Sequence, residues 1–193
     1  MRKTRFRVWL AAISLVLLAF PAIMRAGPAS AADLAQRDGQ HDFEFNIGVW
    51  RTHITRILDP FSKSVTTSAA LDGTVTVRPV WGGRALLEEI EADGPNGHWE
   101  GLTLFLYNPR SHQWSQVFAN SKTGVLNPPL IGTFQDGRGE LIAQDAVDGS
   151  SILVRGVWSG IAPNAHTYEE SYSDDGGRTW KPAFIANVTR VTP

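Results

Sequence analysis

Acidic and basic residues set into strand-like runs are where this sequence could do chemistry. In Ala85-Leu-Leu-Glu-Glu-Ile90, strict alternation puts Glu88 on the face of Leu86 and Ile90. If that face turns inward, Glu88 is buried, and burial raises a carboxyl pKa unless a cation or hydrogen-bond donors offset it. Arg56 shares the face of Trp50, Thr52, Ile54 and Leu58, and Arg155 stands beside Ile152, Leu153 and Val154. An interior Arg–Glu pair can hold the polar head of a small molecule, can act as acid and base, or can be a structural ion pair. Arg56, Glu88 and Arg155 are therefore the candidate ligand-binding residues. No catalytic residue is assigned. Other carboxylates gather at Glu89, Glu91, Glu100, Glu169 and Glu170.

The five histidines, His41, His53, His98, His112 and His166, show neither His-x-His nor His-x-x-x-His spacing, and no metal site is expected from them. Cysteine is absent, which removes thiolate chemistry, Cys metal ligands and disulfide staples. There is no Gly-x-Ser-x-Gly elbow, phosphate loop, His-Glu-x-x-His or dinucleotide fingerprint. No cofactor is expected.

Ser173-Asp-Asp-Gly-Gly-Arg-Thr-Trp180 is the sharpest local motif, an Asp-box pattern. Asp175 can accept backbone N–H bonds across the turn, the glycines permit positive φ, and Trp180 can fold back over the hairpin. A sialidase propeller would need several such boxes and about six four-stranded blades. With one copy, Asp175 and Trp180 read as structural.

These residues must be positioned by strands. Alternating runs at 48–58, 65–78, 85–92, 98–107, 113–120, 129–135, 139–147, 150–159, 166–173 and 179–191 are separated by Gly, Pro, Asn and Asp clusters. Turns at such short intervals predict an all-β sandwich or barrel. His41 to Ile47, with Phe43 and Phe45, is a candidate plug for one barrel end. Asn120 to Pro129 is the longest connection and a candidate flank for a cavity mouth. Residues 32–40 are polar and expected to be flexible.

Residues 1–31 read as a secretory signal peptide. A basic start (Met1 to Arg7) precedes a 13-residue apolar run, Val8 to Phe20, and Ala29-Ser30-Ala31 offers small residues for cleavage. The run is shorter than the roughly 20 residues that span a bilayer. Cleavage predicts a periplasmic or secreted single domain over 41–193, detached from the membrane. The signal carries five of the 18 basic residues and none of the 19 acidic ones. The mature chain is therefore acidic, which argues against nucleic acid as a partner.

Gly48-Val49-Trp50 near the start of the first strand and Arg190 near the end of the last resemble the closure signature of lipocalin-like (calycin) barrels. That resemblance implies an indole plugging one barrel end with a guanidinium stacked on it. More widely, the chain resembles exported bacterial proteins of the DUF1579 type. The resembling pieces are His41 to Arg51, Leu106 to Arg110, Gln113-Trp114, Phe118 to Ser121, Gly137 to Glu140, and Ser173 to Trp180 running into Thr189-Arg190. The family implies a fold, a single antiparallel β-barrel of about eight to ten strands. It implies no catalytic residue. Haem-binding calycins carry a longer Gly-rich motif after the first Trp and a proximal His, which Arg51-Thr52-His53 does not reproduce.

The expected protein is a monomeric barrel that binds a small apolar molecule. The alternatives are an isomerase or hydrolase using a buried carboxylate, and an interaction module with a filled core.

Overall fold

A computed structural model describes residues 38–62, 67–147 and 149–191. The signal-peptide stretch 1–31, its cleavage site and residues 32–37 lie outside the described residues. Among the described residues ten strands run in sequence: β1 (Gly48–Ile57), β2 (Ser68–Val80), β3 (Ala85–Gly94), β4 (Gly97–Asn108), β5 (Gln113–Asn120), β6 (Leu130–Gln135), β7 (Arg138–Val147), β8 (Ser150–Ala162), β9 (Ala165–Ser173) and β10 (Lys181–Arg190). Each pairs antiparallel with the next, and β10 returns to pair with β1, which closes the barrel. All ten alternating runs became strands, with boundary shifts of a few residues at most. No helix among the described residues is long and apolar enough to cross a membrane.

Alternation decides what lies inside. On β4, Trp99, Thr103, Phe105 and Tyr107 are buried, while Leu102 on the opposite face is exposed. The inner face is thus the aromatic one, since rings fill a barrel lumen more completely than a row of leucines. On β9, His166 and Tyr168 are buried on the inner face, and Glu170 and Tyr172 follow them upward. The register between β9 and β10 shifts between Pro182 and Phe184. Pro182 lacks an N–H for the ladder, and the bulge turns both Ala183 and Phe184 toward the lumen.

One end is sealed. A 3-10 turn over Glu44–Asn46 crosses it, preceded by Phe43, which is fully buried among Phe105, Trp114, Phe134 and Trp158 with ring centroids 4.6–5.4 Å away. The indole of Trp50 donates to the Asn46 carbonyl at 2.7 Å. Arg190 is paired with Trp50 across β1 and β10, and its guanidinium carbon lies 3.8 Å from the Trp50 ring centroid. The Arg190 donors go to the carbonyls of Phe45, Ile47 and Pro163 at 2.9–3.1 Å. Gly48 has φ of 131°, and a Cβ there would stand 2.5 Å from Arg190 Nη1, so this position needs glycine twice over. Residues 38–40, expected to be flexible, are instead tied down. The Tyr107 hydroxyl accepts from the Gly39 N–H, Trp114 Nε1 donates to the Gly39 carbonyl, and the Tyr107 hydroxyl donates to Asp38.

The other end is open. There β6 begins halfway down the wall and makes only three pairs with β5. The 121–129 segment runs beside the freed upper part of β5, with the Asn127 N–H donating to the Phe118 carbonyl at 2.8 Å.

Candidate functional site

The barrel is not filled, so a module with a packed core is set aside. A cavity of about 360 Å³ descends from the open end to the floor, a volume within the range of small-molecule sites. Its upper part is apolar, with Leu58, Leu71, Ile90, Trp99, Phe118 and Phe184 on the walls. Its lower part is polar, with Asn46, Thr52, Glu88, Thr103, Gln116 and His166. Asn120, at the end of β5, and Asn127, from the long connection that follows it, line the cavity toward its mouth.

Glu88 is 5% exposed and faces the lumen, as its alternation with Leu86 predicts. The Thr103 hydroxyl donates to Oε1 at 2.8 Å and Asn46 Nδ2 donates to Oε2 at 3.1 Å. Burial raises the Glu88 pKa above the ordinary glutamate value, and these two neutral donors offset only part of that cost.

A second polar line climbs the wall. Trp158 Nε1 donates to Gln116 Oε1, Gln116 Nε2 donates to the Tyr168 hydroxyl, and the Tyr168 and Tyr172 hydroxyls donate to Glu170, all at 3.0–3.3 Å. Burial raises the Glu170 pKa too, opposed by these hydroxyls and by the charge of nearby Arg56. The Tyr168 and Tyr172 phenols are raised by burial and by Glu170, so neither is a base at neutral pH.

Three buried polar atoms on the lower lining have no hydrogen-bond partner among the described residues: Asn46 Oδ1, Thr52 Oγ1 and His166 Nδ1. His166 packs edge-on against Trp50 at 4.6 Å and Phe45 at 5.1 Å. Burial, helped by the Arg190 charge, lowers its pKa to about 4, so the imidazole is neutral at pH 7.

The three candidate binding residues are not brought together. Glu88 sits in the lower cavity. Arg56 lines the rim, with its side chain exposed, in the same cross-strand row as Phe184 and Glu170. Arg155 requires a correction. It does not line the cavity but lies on the outer wall of β8, where its guanidinium carbon is 4.3 Å from the Trp180 ring centroid. The inner face of β8 belongs to Ile152, Val154, Gly156 and Trp158, and on the outer face Leu153 and Arg155 lie against Gly177 and Trp180 of the Asp-box hairpin. Sequence alternation alone could not tell a second covered face from the lumen.

Within that hairpin, Asp175 Oδ1 accepts from the N–H groups of Arg178 and Thr179 at 2.9 Å, and Oδ2 accepts from the Thr179 hydroxyl at 2.7 Å. These donors, the Thr179 backbone first, hold the Asp175 carboxyl well below the usual aspartate range. The box is a hairpin clasp, and none of its residues lines the cavity.

Glu170, His166, Asn46 and Gln116 were missed as site residues. For β9 a signal existed. His166, Tyr168, Glu170 and Tyr172 alternate with Thr167, Glu169 and Ser171, and only the first set combines rings with titratable groups. Asn46 gave no signal, because it enters the cavity from the plug and not from a strand.

No family model matches the sequence, and no curated protein matches it either. Solved structures do match by fold. The S-type phycobiliprotein lyase CPES from Guillardia theta superimposes with a TM-score of 0.55 at 13% identity, covering 86% of this chain and 99% of the lyase. A de novo designed fluorescence-activating β-barrel matches with a TM-score of 0.42 at 12% identity, covering 81% of this chain and all of the design. A redesigned barrel bound to DFHBI matches with a TM-score of 0.43 at 12% identity, covering 76% of this chain and 99% of the other. The likeness to the lyase is one of fold, a lipocalin-like barrel.

Proposed function

We propose that this chain is an exported binding protein of the DUF1579 type, monomeric, which holds a small and largely apolar molecule in its barrel. One observation carries the reading: a cavity of about 360 Å³ with an apolar upper wall and polar anchors at its base. Apolar surface supplies the affinity and the few polar groups fix the orientation, which is how small-molecule sites are generally built. Export is supported by the basic start, the 13-residue apolar run and Ala29-Ser30-Ala31. The DUF1579 assignment is supported by the quoted segments, among them Gly48 to Trp50 and Arg190.

Native mass spectrometry of the protein purified from its own extracellular or periplasmic fraction tests the reading. A co-purifying small molecule is the expected result, on a chain beginning between Ala31 and Asp33. A protein that carries nothing and takes up no apolar probe would overturn the binding role, and an intact Met1 form in the membrane fraction would overturn export.

A second reading, an enzyme using a buried carboxyl, is favoured by Glu88 and, higher on the wall, Glu170. A carboxyl with a raised pKa in a lined cavity is suited to general acid–base work. A fold shared with a lyase is compatible with it but does not supply a reaction. Turnover of the co-purified molecule, lost in Glu88→Gln, would establish it.

A further inference from the structure

We propose that the cavity takes an amphiphile with a protonated amine head, seated on Glu88 and Asn46 at the base, with its apolar body toward the open end. The inference rests on the cavity being a ligand site and names the class of ligand.

The argument is a count of donors and acceptors at the base. Glu88 is buried without a cationic partner among the described residues. The Thr103 hydroxyl proton is spent on Oε1, and Asn46 Nδ2 supplies its bond to Oε2. Each carboxylate oxygen can accept a further bond. That orientation of the Asn46 amide leaves Oδ1, also an acceptor, buried and unpartnered on the lining. Thr52 Oγ1 and His166 Nδ1, equally unpartnered among the described residues, can accept as well, the neutral imidazole as its Nε2–H tautomer. The unmet need at the base is thus mainly for donors. An ammonium group has three donors and no acceptor, and it supplies the charge that a buried carboxylate lacks.

Competing head groups fit less well. A carboxylate would meet Glu88 and Asn46 Oδ1, both acceptors. A hydroxyl has one donor and can satisfy only one of them. No Lys or Arg of the described residues reaches the base. Among the described lining residues the only Lys or Arg is Arg56, at the rim. Arg190 lies beneath Trp50 with its donors committed to the carbonyls of Phe45, Ile47 and Pro163. His166, the remaining titratable group at the base, is packed against Trp50 and Phe45. The polarity gradient sets the direction of entry. The walls above carry Leu71, Ile90, Phe118 and Phe184, and the carboxylate there, Glu170, already accepts from the Tyr168 and Tyr172 hydroxyls and shares its cross-strand row with Arg56, so the head goes in first and seats on Glu88.

Octylamine, octanol and octanoate present one apolar body with three heads. Calorimetric titration of the full exported protein at neutral pH should rank octylamine first, at least roughly tenfold tighter than octanol, the size expected for hydrogen bonds to a charged group. Octanoate should be weakest. Glu88→Gln should bring octylamine down to the level of octanol and leave octanol within about twofold, since only the charged contact is lost. If that variant does not fold, the NMR signal of the wild-type Glu88 carboxyl carbon serves instead. It should shift with octylamine and stay in place with octanol. Octanol or octanoate binding as tightly as octylamine, or a preference that survives Glu88→Gln, would overturn the amine assignment and leave the apolar cavity standing. Failure of all three to bind would overturn the ligand-site reading together with it.

Discussion

Among the described residues, two arginine–tryptophan stacks have nearly equal geometry. Arg190 lies 3.8 Å from the Trp50 ring and Arg155 lies 4.3 Å from the Trp180 ring. Their surroundings differ. Arg190 also reaches three backbone carbonyls, from two separate stretches of chain, and seals the barrel floor. Arg155 holds down a hairpin on the outer wall, and its Nε has no hydrogen-bond partner among the described residues. The contact is the same in kind. The first joins the two ends of the chain, and the second fastens one turn to the strand beneath it. A stacked pair therefore matters to stability in proportion to what else depends on it.

The contrast is broken most severely at the floor. Trp50→Ala should cost on the order of 3–5 kcal/mol, the range for deleting a fully buried large ring, read by urea denaturation. A variant of unchanged stability would mean that Arg190 closes the barrel without its indole.

Acid should act on the same floor. His166 has a folded pKa of about 4 against 6.5 for an unperturbed histidine. The unfolded chain therefore binds more protons between those values, and stability should fall as pH drops from about 6.5 toward 4. The full effect is on the order of 3 kcal/mol. Glu88 works in the opposite sense. Its raised pKa means the folded state keeps its proton longer, so its contribution declines as pH rises above the ordinary glutamate range. Stability-versus-pH curves of His166→Phe and Glu88→Gln should separate the two slopes, and a wild-type slope retained in His166→Phe would show that another group titrates.

On the outer wall the effects are smaller. Asp175→Ala removes the clasp that gathers the Arg178 and Thr179 N–H groups and should lower the melting temperature less than Trp50→Ala does. Binding of an apolar probe should be unchanged. Arg155→Met should cost about 1 kcal/mol, the worth of a cation–π stack, again with binding intact. Loss of binding in either would place the hairpin in the site. Smallest of all, Arg56→Met should leave stability within about 0.5 kcal/mol, as an exposed residue, and weaken octanoate more than octanol. An equal effect on both would remove Arg56 from ligand recognition.

These residues also show how far sequence reading reaches. The ten strands, the Trp50–Arg190 closure and the inward Glu88 were all legible, because alternation and turn residues act locally and the closure pair resembles a known one. Arg155 was placed in the lumen because a strand covered on both faces loses the contrast that alternation needs. Residues 38–40 looked flexible because their composition is polar, yet their backbone groups meet Tyr107 and Trp114 from strands more than sixty positions away. Asn46 and His166 were not singled out because their role depends on which atoms remain unpaired in the folded lumen, and no local pattern records that.

The pairing of β1 with β10 also fixes an order of events in time. Trp50 and Arg190 stand on the first and last strands, so their pairing is the most non-local in the barrel, and folds rich in such contacts form slowly. While β10 is still being made, β1 and β9 present free edges, the kind of surface on which chains add to one another. Docking of β10 removes both edges at once. The part of the tryptophan fluorescence change that Trp50→Phe abolishes would time that moment in a stopped-flow refolding experiment.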